Sequence, residues 1–138
     1  MTDRLCDGRR RSGGIVARAM DITVAERSAA GITVVTLHGE LGVDSAGLLR
    51  KTLAELIDQY RIRIVVDLAP LAFCDSIGLS AFIDGHRRCA EVGGWMRLAG
   101  ARPFLCRILE VVGLLGIVQL YDSVPAACTG DESRLVKP

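Results

Sequence analysis

One short segment limits the fold of this chain more than any other. From Ile62 to Leu68 the sequence reads Ile-Arg-Ile-Val-Val-Asp-Leu, a nearly continuous apolar run. A strand with one wet face alternates apolar and polar residues; a continuous run reads as a strand covered on both faces. Pro70 stops it, since proline cannot donate to a strand ladder. A central strand of this kind needs helices above and below its sheet.

The flanking segments supply them. Ile22 to Arg27 reads as a short strand, Ser28-Ala29-Ala30-Gly31 as a turn, and the β-branched run Ile32 to His38 as a second strand. Together they predict an antiparallel hairpin. Gly39-Glu40-Leu41-Gly42 breaks the pattern. Asp44 or Ser45 can cap a helix whose apolar face is Leu49, Leu53, Leu56, Ile57 and Tyr60. After the central strand, Asp75-Ser76 caps a second helix with Leu79, Phe82, Ile83 and Ala90 inward, ended by Gly93-Gly94. Trp95 to Ala99 is a short strand, and Pro103 opens a third helix with Leu105, Ile108, Leu109 and Val112 on its apolar face. Ile117 to Tyr121 reads as the last strand, and Asp122-Ser123 caps a short terminal helix.

The order is ββαβαβαβα. It predicts an α/β fold with a mixed, mostly parallel sheet of about five strands and helices packed against it. The 138 residues suit one domain. Residues 1–20 are expected to be a disordered basic tail, 21–130 the folded domain, and 131–138 a polar C-terminal tail. Translation from Met20 is an alternative start.

Composition narrows the function. The formal net charge of +1 divides into a head of five arginines and two aspartates in residues 1–20 and a body with two more acidic than basic residues. That body offers no field for direct nucleic-acid binding, which depends on neutralising phosphates. Mean hydropathy is high, at +0.34. Even so, the greasiest stretch, Val111 to Leu120, is about half the ~20 residues a spanning helix needs. No secretory signal opens the chain, so no membrane contact and a cytoplasmic location are expected. The five cysteines form no C-x-x-C pair and neither His38 nor His86 lies beside one, so no metal is expected. No Walker-type phosphate cradle appears, and no cofactor is expected.

One polar segment stands out, Phe73-Cys74-Asp75-Ser76-Ile77-Gly78-Leu79-Ser80, between the central strand and the second helix. Read from the residues, Asp75-Ser76 is a plain helix N-cap. The alternative is that Ser76, beside free N–H groups at a helix N-terminus, takes a phosphate. Ser80, one turn further on, is a secondary candidate. Asp67 is expected to end its strand in hydrogen bonds to the following loop rather than to pair with Asp75 for acid–base work.

The run Asp67 to Leu79, with Asp75-Ser76-Ile77-Gly78-Leu79 at its end, resembles the signature loop of the STAS domain family, in particular the bacterial anti-sigma factor antagonists. Val34 to Leu41 and Leu109 to Asp122 resemble that family's second strand and its segment from the third helix into the last strand. The resemblance covers about residues 21–130. It implies a phosphoprotein of transcription regulation and stress response rather than an enzyme. An anti-sigma factor serine kinase would bind the unphosphorylated form, which frees a sigma factor. Phosphorylation of Ser76 would release the antagonist, and a PP2C-type phosphatase would reset it. The implied partner-binding residues are Asp75, Ser76, Ile77, Gly78, Leu79 and Asp44. A homodimer is left open, and a stand-alone subunit of a transporter or stress-signalling complex is the alternative job. Two positions depart from the family pattern: Gly42 stands where members often carry Asp, and Ile77 where the residue is usually small or hydroxylated. Ile77 then either packs inward or enlarges the partner contact.

Overall fold

The computed structural model describes residues 10–11, 20–27 and 31–137. Strand β2 (Met20–Arg27) pairs antiparallel with β3 (Ile32–Leu41), the expected hairpin. Helix α1 (Ala46–Asp58) leads to β4 (Arg63–Asp67), which lies parallel to β3. Helix α2 (Ser76–Glu91) then leads to β6 (Trp95–Ala99), parallel to β4, and α3 (Pro103–Val111) to β7 (Leu120–Tyr121), parallel to β6. Helix α4 (Val124–Thr129) comes next.

Three short strands join those that the sequence predicts, making eight among the described residues. Strand β1 (Arg10–Arg11) pairs with β2 inside the segment expected to be a tail; the rest of that basic head, apart from Met20, lies outside the described residues. The turn residues 28–30 lie outside them too. Strand β5 (Leu71–Cys74) pairs with the far end of β3. Strand β8 (Leu135–Val136), in the segment set apart as a C-terminal tail, pairs antiparallel with β7. The count of about five is corrected because runs of two to four residues carry no periodic signal of their own and exist only by pairing.

The central strand is buried on both sides, as its composition requires. Ile64 and Val66 enter one core with Leu49, Leu53 and Leu56 of α1, Leu79 and Phe82 of α2, and Leu105 and Leu109 of α3. Val65 points the other way, into a smaller cluster with Ile32, Tyr121, Ala126 and Ala127 under α4. On that smaller face the Arg97 guanidinium stacks 3.8 Å from the Trp95 ring centroid and donates to the Ala127 carbonyl at 2.8 Å, tying α4 to the sheet.

Some helix ends differ from expectation. Tyr60 is 74% exposed with φ 60°, so it belongs to the turn after α1 and not to its apolar face. Ala90 is exposed and Cys89 takes the inward place on α2. Val112 is 56% exposed, as is Val111 before it at 77%, so the buried face of α3 ends at Leu109. The last strand is shorter than Ile117 to Tyr121, since Leu114–Gly116 forms a 3-10 turn that runs on through Val118. Among the described residues no helix is long and apolar enough to cross a membrane.

Candidate functional site

The polar segment singled out in the sequence is placed by β5. Its pairing sets Phe73 opposite Glu40 and Cys74 opposite Leu41, after a register shift at Gly39–Glu40. The Asp75 amide then donates to the Leu41 carbonyl at 3.1 Å. The loop before α2 is thereby fastened beside the loop before α1. Strand β3 runs on to Leu41, three residues beyond its expected end, and this extension makes the pairing possible.

Asp75 is the N-cap of α2. Its backbone is extended, and Oδ1 accepts from the Gly78 amide at 2.9 Å. Ser76 is the first residue of the helix and is exposed. Gly78 is buried where α2 crosses the end of β3. A β-carbon there would meet the Leu41 carbonyl oxygen at 2.8 Å and Leu41 Cγ at 2.7 Å, so only glycine lets the helix start so close to the strand. Leu79 is 6% exposed and belongs to the core. Both Gly78 and Leu79 therefore shape the surface from beneath.

The neighbouring loop is pinned by Ser45. This buried hydroxyl accepts from the Gly42 amide at 3.0 Å and donates to the Glu40 carbonyl at 2.8 Å. Ser45 occupies the N-cap position of α1 without a side-chain capping bond, because its oxygen is used in the loop. Asp44 is exposed. A shallow cleft of about 30 Å³ lies between the loops, with Gly42, Val43, Asp44, Phe73 and Asp75 on its walls. At Gly42 a β-carbon would stand 2.9 Å from Asp75 Oδ2, so the departure from Asp at this position leaves the Asp75 carboxylate room beside it.

Ile77 points outward. It is 43% exposed, and Val43 (67%), on the loop before α1, and Phe73 (41%), on β5, are exposed as well. Ile77 therefore does not pack inward. Phe73 heads the segment singled out in the sequence, but its exposure follows from its place in β5, which local pattern does not report; nothing in the sequence marks Val43.

The remaining polar groups are engaged. The Ser80 hydroxyl donates to the Ile77 carbonyl at 2.8 Å and accepts from Arg50 at 2.8 Å. Asp67 accepts from the Ala69 amide at 3.1 Å, so it ends its strand in a loop hydrogen bond, as the sequence suggests. Burial, and secondarily the charge of Asp75, pushes the Cys74 thiol up to about 12, which removes it as a nucleophile near neutral pH. Among the described residues no three His, Cys, Asp or Glu side chains gather as a metal site would require. The arrangement offers an exposed serine hydroxyl at a capped helix start, one carboxylate beside it, and an apolar rim.

A family model described as "Mlab, STAS domain" matches residues 24–119. The chain is 29% identical over 111 residues to the anti-sigma F factor antagonist of Paenibacillus polymyxa, across 80% of this chain and 95% of that one. It is 29% identical over 86 residues to the anti-sigma-B factor antagonist of Bacillus subtilis, across 62% of this chain and 78% of that one. In fold it resembles an anti-sigma factor antagonist from Mycobacterium paratuberculosis, with a TM-score of 0.75 and 20% identity over 85% of this chain and 97% of that structure.

Proposed function

This chain belongs to the STAS domain family, and from that premise we propose that it is an anti-sigma factor antagonist switched by phosphorylation of Ser76. The unphosphorylated form binds an anti-sigma factor through the surface around Ser76 and so frees a sigma factor. The anti-sigma factor is itself the serine kinase. The γ-phosphoryl group of ATP passes to Ser76 Oγ, ADP leaves, and the hydroxyl proton is lost. A PP2C-type phosphatase returns the serine. The protein acts by binding and not as an enzyme, in the cytoplasm where sigma factors work.

The observation that carries this reading is Ser76 itself: exposed, at the first turn of α2, and bordered by exposed Val43, Phe73 and Ile77. An apolar rim gives a partner area to bury. A phosphate adds about −1.5 to −2 charges at neutral pH. Inside such a contact that charge must be desolvated or be repelled by Asp75, so the complex breaks without any rearrangement of the fold. The helix tolerates the new charge, because anions are favoured at its N-terminus.

The test is phosphosite mapping by mass spectrometry after incubation with the cognate anti-sigma factor and ATP. Phosphate is expected on Ser76 and not on Ser80, and Ser76→Asp is expected to bind the anti-sigma factor more weakly than the wild type. An unmodified Ser76 together with full binding by Ser76→Asp would overturn the switch.

A further inference from the structure

Arg50 lies across the contact between α1 and α2. Its guanidinium donates to the Ser80 hydroxyl at 2.8 Å and pairs with the Asp84 carboxylate. Ser76, Ser80 and Asp84 succeed one another at steps of four along α2. Residues so spaced stack on one helix face, with β-carbons about 5–6 Å apart per step. Their side chains lean toward the helix N-terminus, which is the end that carries Ser76. The guanidinium held at Ser80 is thus one turn from the Ser76 hydroxyl, and it comes from the helix whose leading loop already abuts Asp75.

Given the phosphorylation of Ser76 on which it rests, we propose that Arg50 is the receptor for that phosphate: the guanidinium leaves Asp84 and pairs with the phosphoryl oxygens across one turn of α2. Three features favour the exchange. The Arg50 and Asp84 side chains are 38% and 36% exposed, and ion pairs so open to water are weak. A phosphate carries up to twice the charge of a carboxylate and fits the guanidinium fork with two parallel bonds. Asp84 is not stranded when Arg50 leaves, because Arg87 stands 3.7 Å from its other oxygen. The phosphate is then drawn from the exposed apolar rim toward α1, so the modified surface is fixed in one arrangement. Asp75 beside the phosphate, and Asp44 and Glu40 on the walls of the cleft, act against it by favouring the protonated phosphate.

The test places phosphoserine at position 76 of the full chain during translation and tracks its titration by 31P NMR. Relative to the wild type, Arg50→Gln should raise the second phosphate pKa by ~0.5 unit, about a threefold gain in proton affinity, with Arg50→Lys in between. Asp84→Asn releases the guanidinium without removing it, and should lower the pKa only where Arg50 is present. Titrations that coincide for the wild type and a folded Arg50→Gln chain would overturn the contact; if that variant does not fold, an Arg50 guanidinium 15N resonance that stays unchanged when Ser76 carries the phosphate would do so. The phosphate is installed without a kinase, so failure here leaves the switch at Ser76 standing. Failure of the cognate kinase to modify Ser76 would remove the switch and not this chemistry.

Discussion

Gly78→Ala tests the claim that α2 must start in contact with β3. In an open helix, replacing glycine by alanine stabilises by about 1 kcal/mol through propensity. At position 78 the added methyl would stand 2.7 Å from Leu41 Cγ, 2.8 Å from the Leu41 carbonyl oxygen and 3.0 Å from Cys74 Sγ, all inside ordinary contact distance. Leu41 is fully buried, and its carbonyl accepts from the Asp75 amide at 3.1 Å. Relief therefore requires the start of α2 to move, which loosens that bond and the cap behind it. Overpacking of this kind costs about 1–3 kcal/mol and a weakened buried hydrogen bond about 1 more. Set against the propensity gain, the net is a loss of about 1–3 kcal/mol. Gly47, in the first turn of α1, is the control, since nothing lies within 4 Å of an added β-carbon. Gly47→Ala should be neutral or stabilise by up to about 1 kcal/mol. Urea unfolding monitored by circular dichroism measures both, and the slope with denaturant should be unchanged. A Gly78→Ala chain as stable as the wild type would refute the close approach.

The site yields three further expected outcomes. Asp75→Ala removes the acceptor for the Gly78 amide and should cost about 1 kcal/mol, whereas Asp75→Asn keeps an oxygen there and should lose less; urea melts compare the two. Burial raises the Cys74 and Cys89 thiols from 9.0 to about 12 and about 11, so the unfolded chain releases these protons first as pH rises. Their contribution to stability is complete below pH 9.0 and is lost progressively toward about 11–12, so the melting temperature of the wild type should fall more steeply above pH 9.0 than that of Cys74→Ala. Ile77→Ser should weaken binding to the anti-sigma factor in calorimetry while leaving the melting temperature nearly unchanged, because the side chain is 43% exposed.

Much of this site is legible in the linear chain. Asp75-Ser76 ahead of the Leu79–Phe82 face marks a helix start, and the structure places the cap and the serine there. The inward residues Leu49, Leu53 and Leu56 are legible for the same reason, since helical periodicity is a local property. Residues just past the last turn of a helix are not, as Tyr60 and Val112 show. Tyr60 has the right spacing, but its backbone leaves the helix at φ 60° and turns it to solvent; at the end of α3 no layer covers Val111 or Val112, and both are exposed.

The chain by itself determined the alternation of elements, the doubly covered central strand and the capped serine. Each depends on residues within a few positions of one another, where spacing and capping chemistry suffice. Tertiary structure alone decided that Leu71–Cys74 becomes a strand, because four residues gain a ladder only when β3 extends to Leu41 to meet them. That pairing put Gly42 and Asp44 beside Asp75, left Phe73 exposed next to Ile77, and sank Gly78 against Leu41. It was also packing between helices that laid Arg50 on Ser80, thirty residues away in the chain. Contacts at such separation leave no periodic trace, because they are set by how the sheet and helices close on one another and not by the residues next in line.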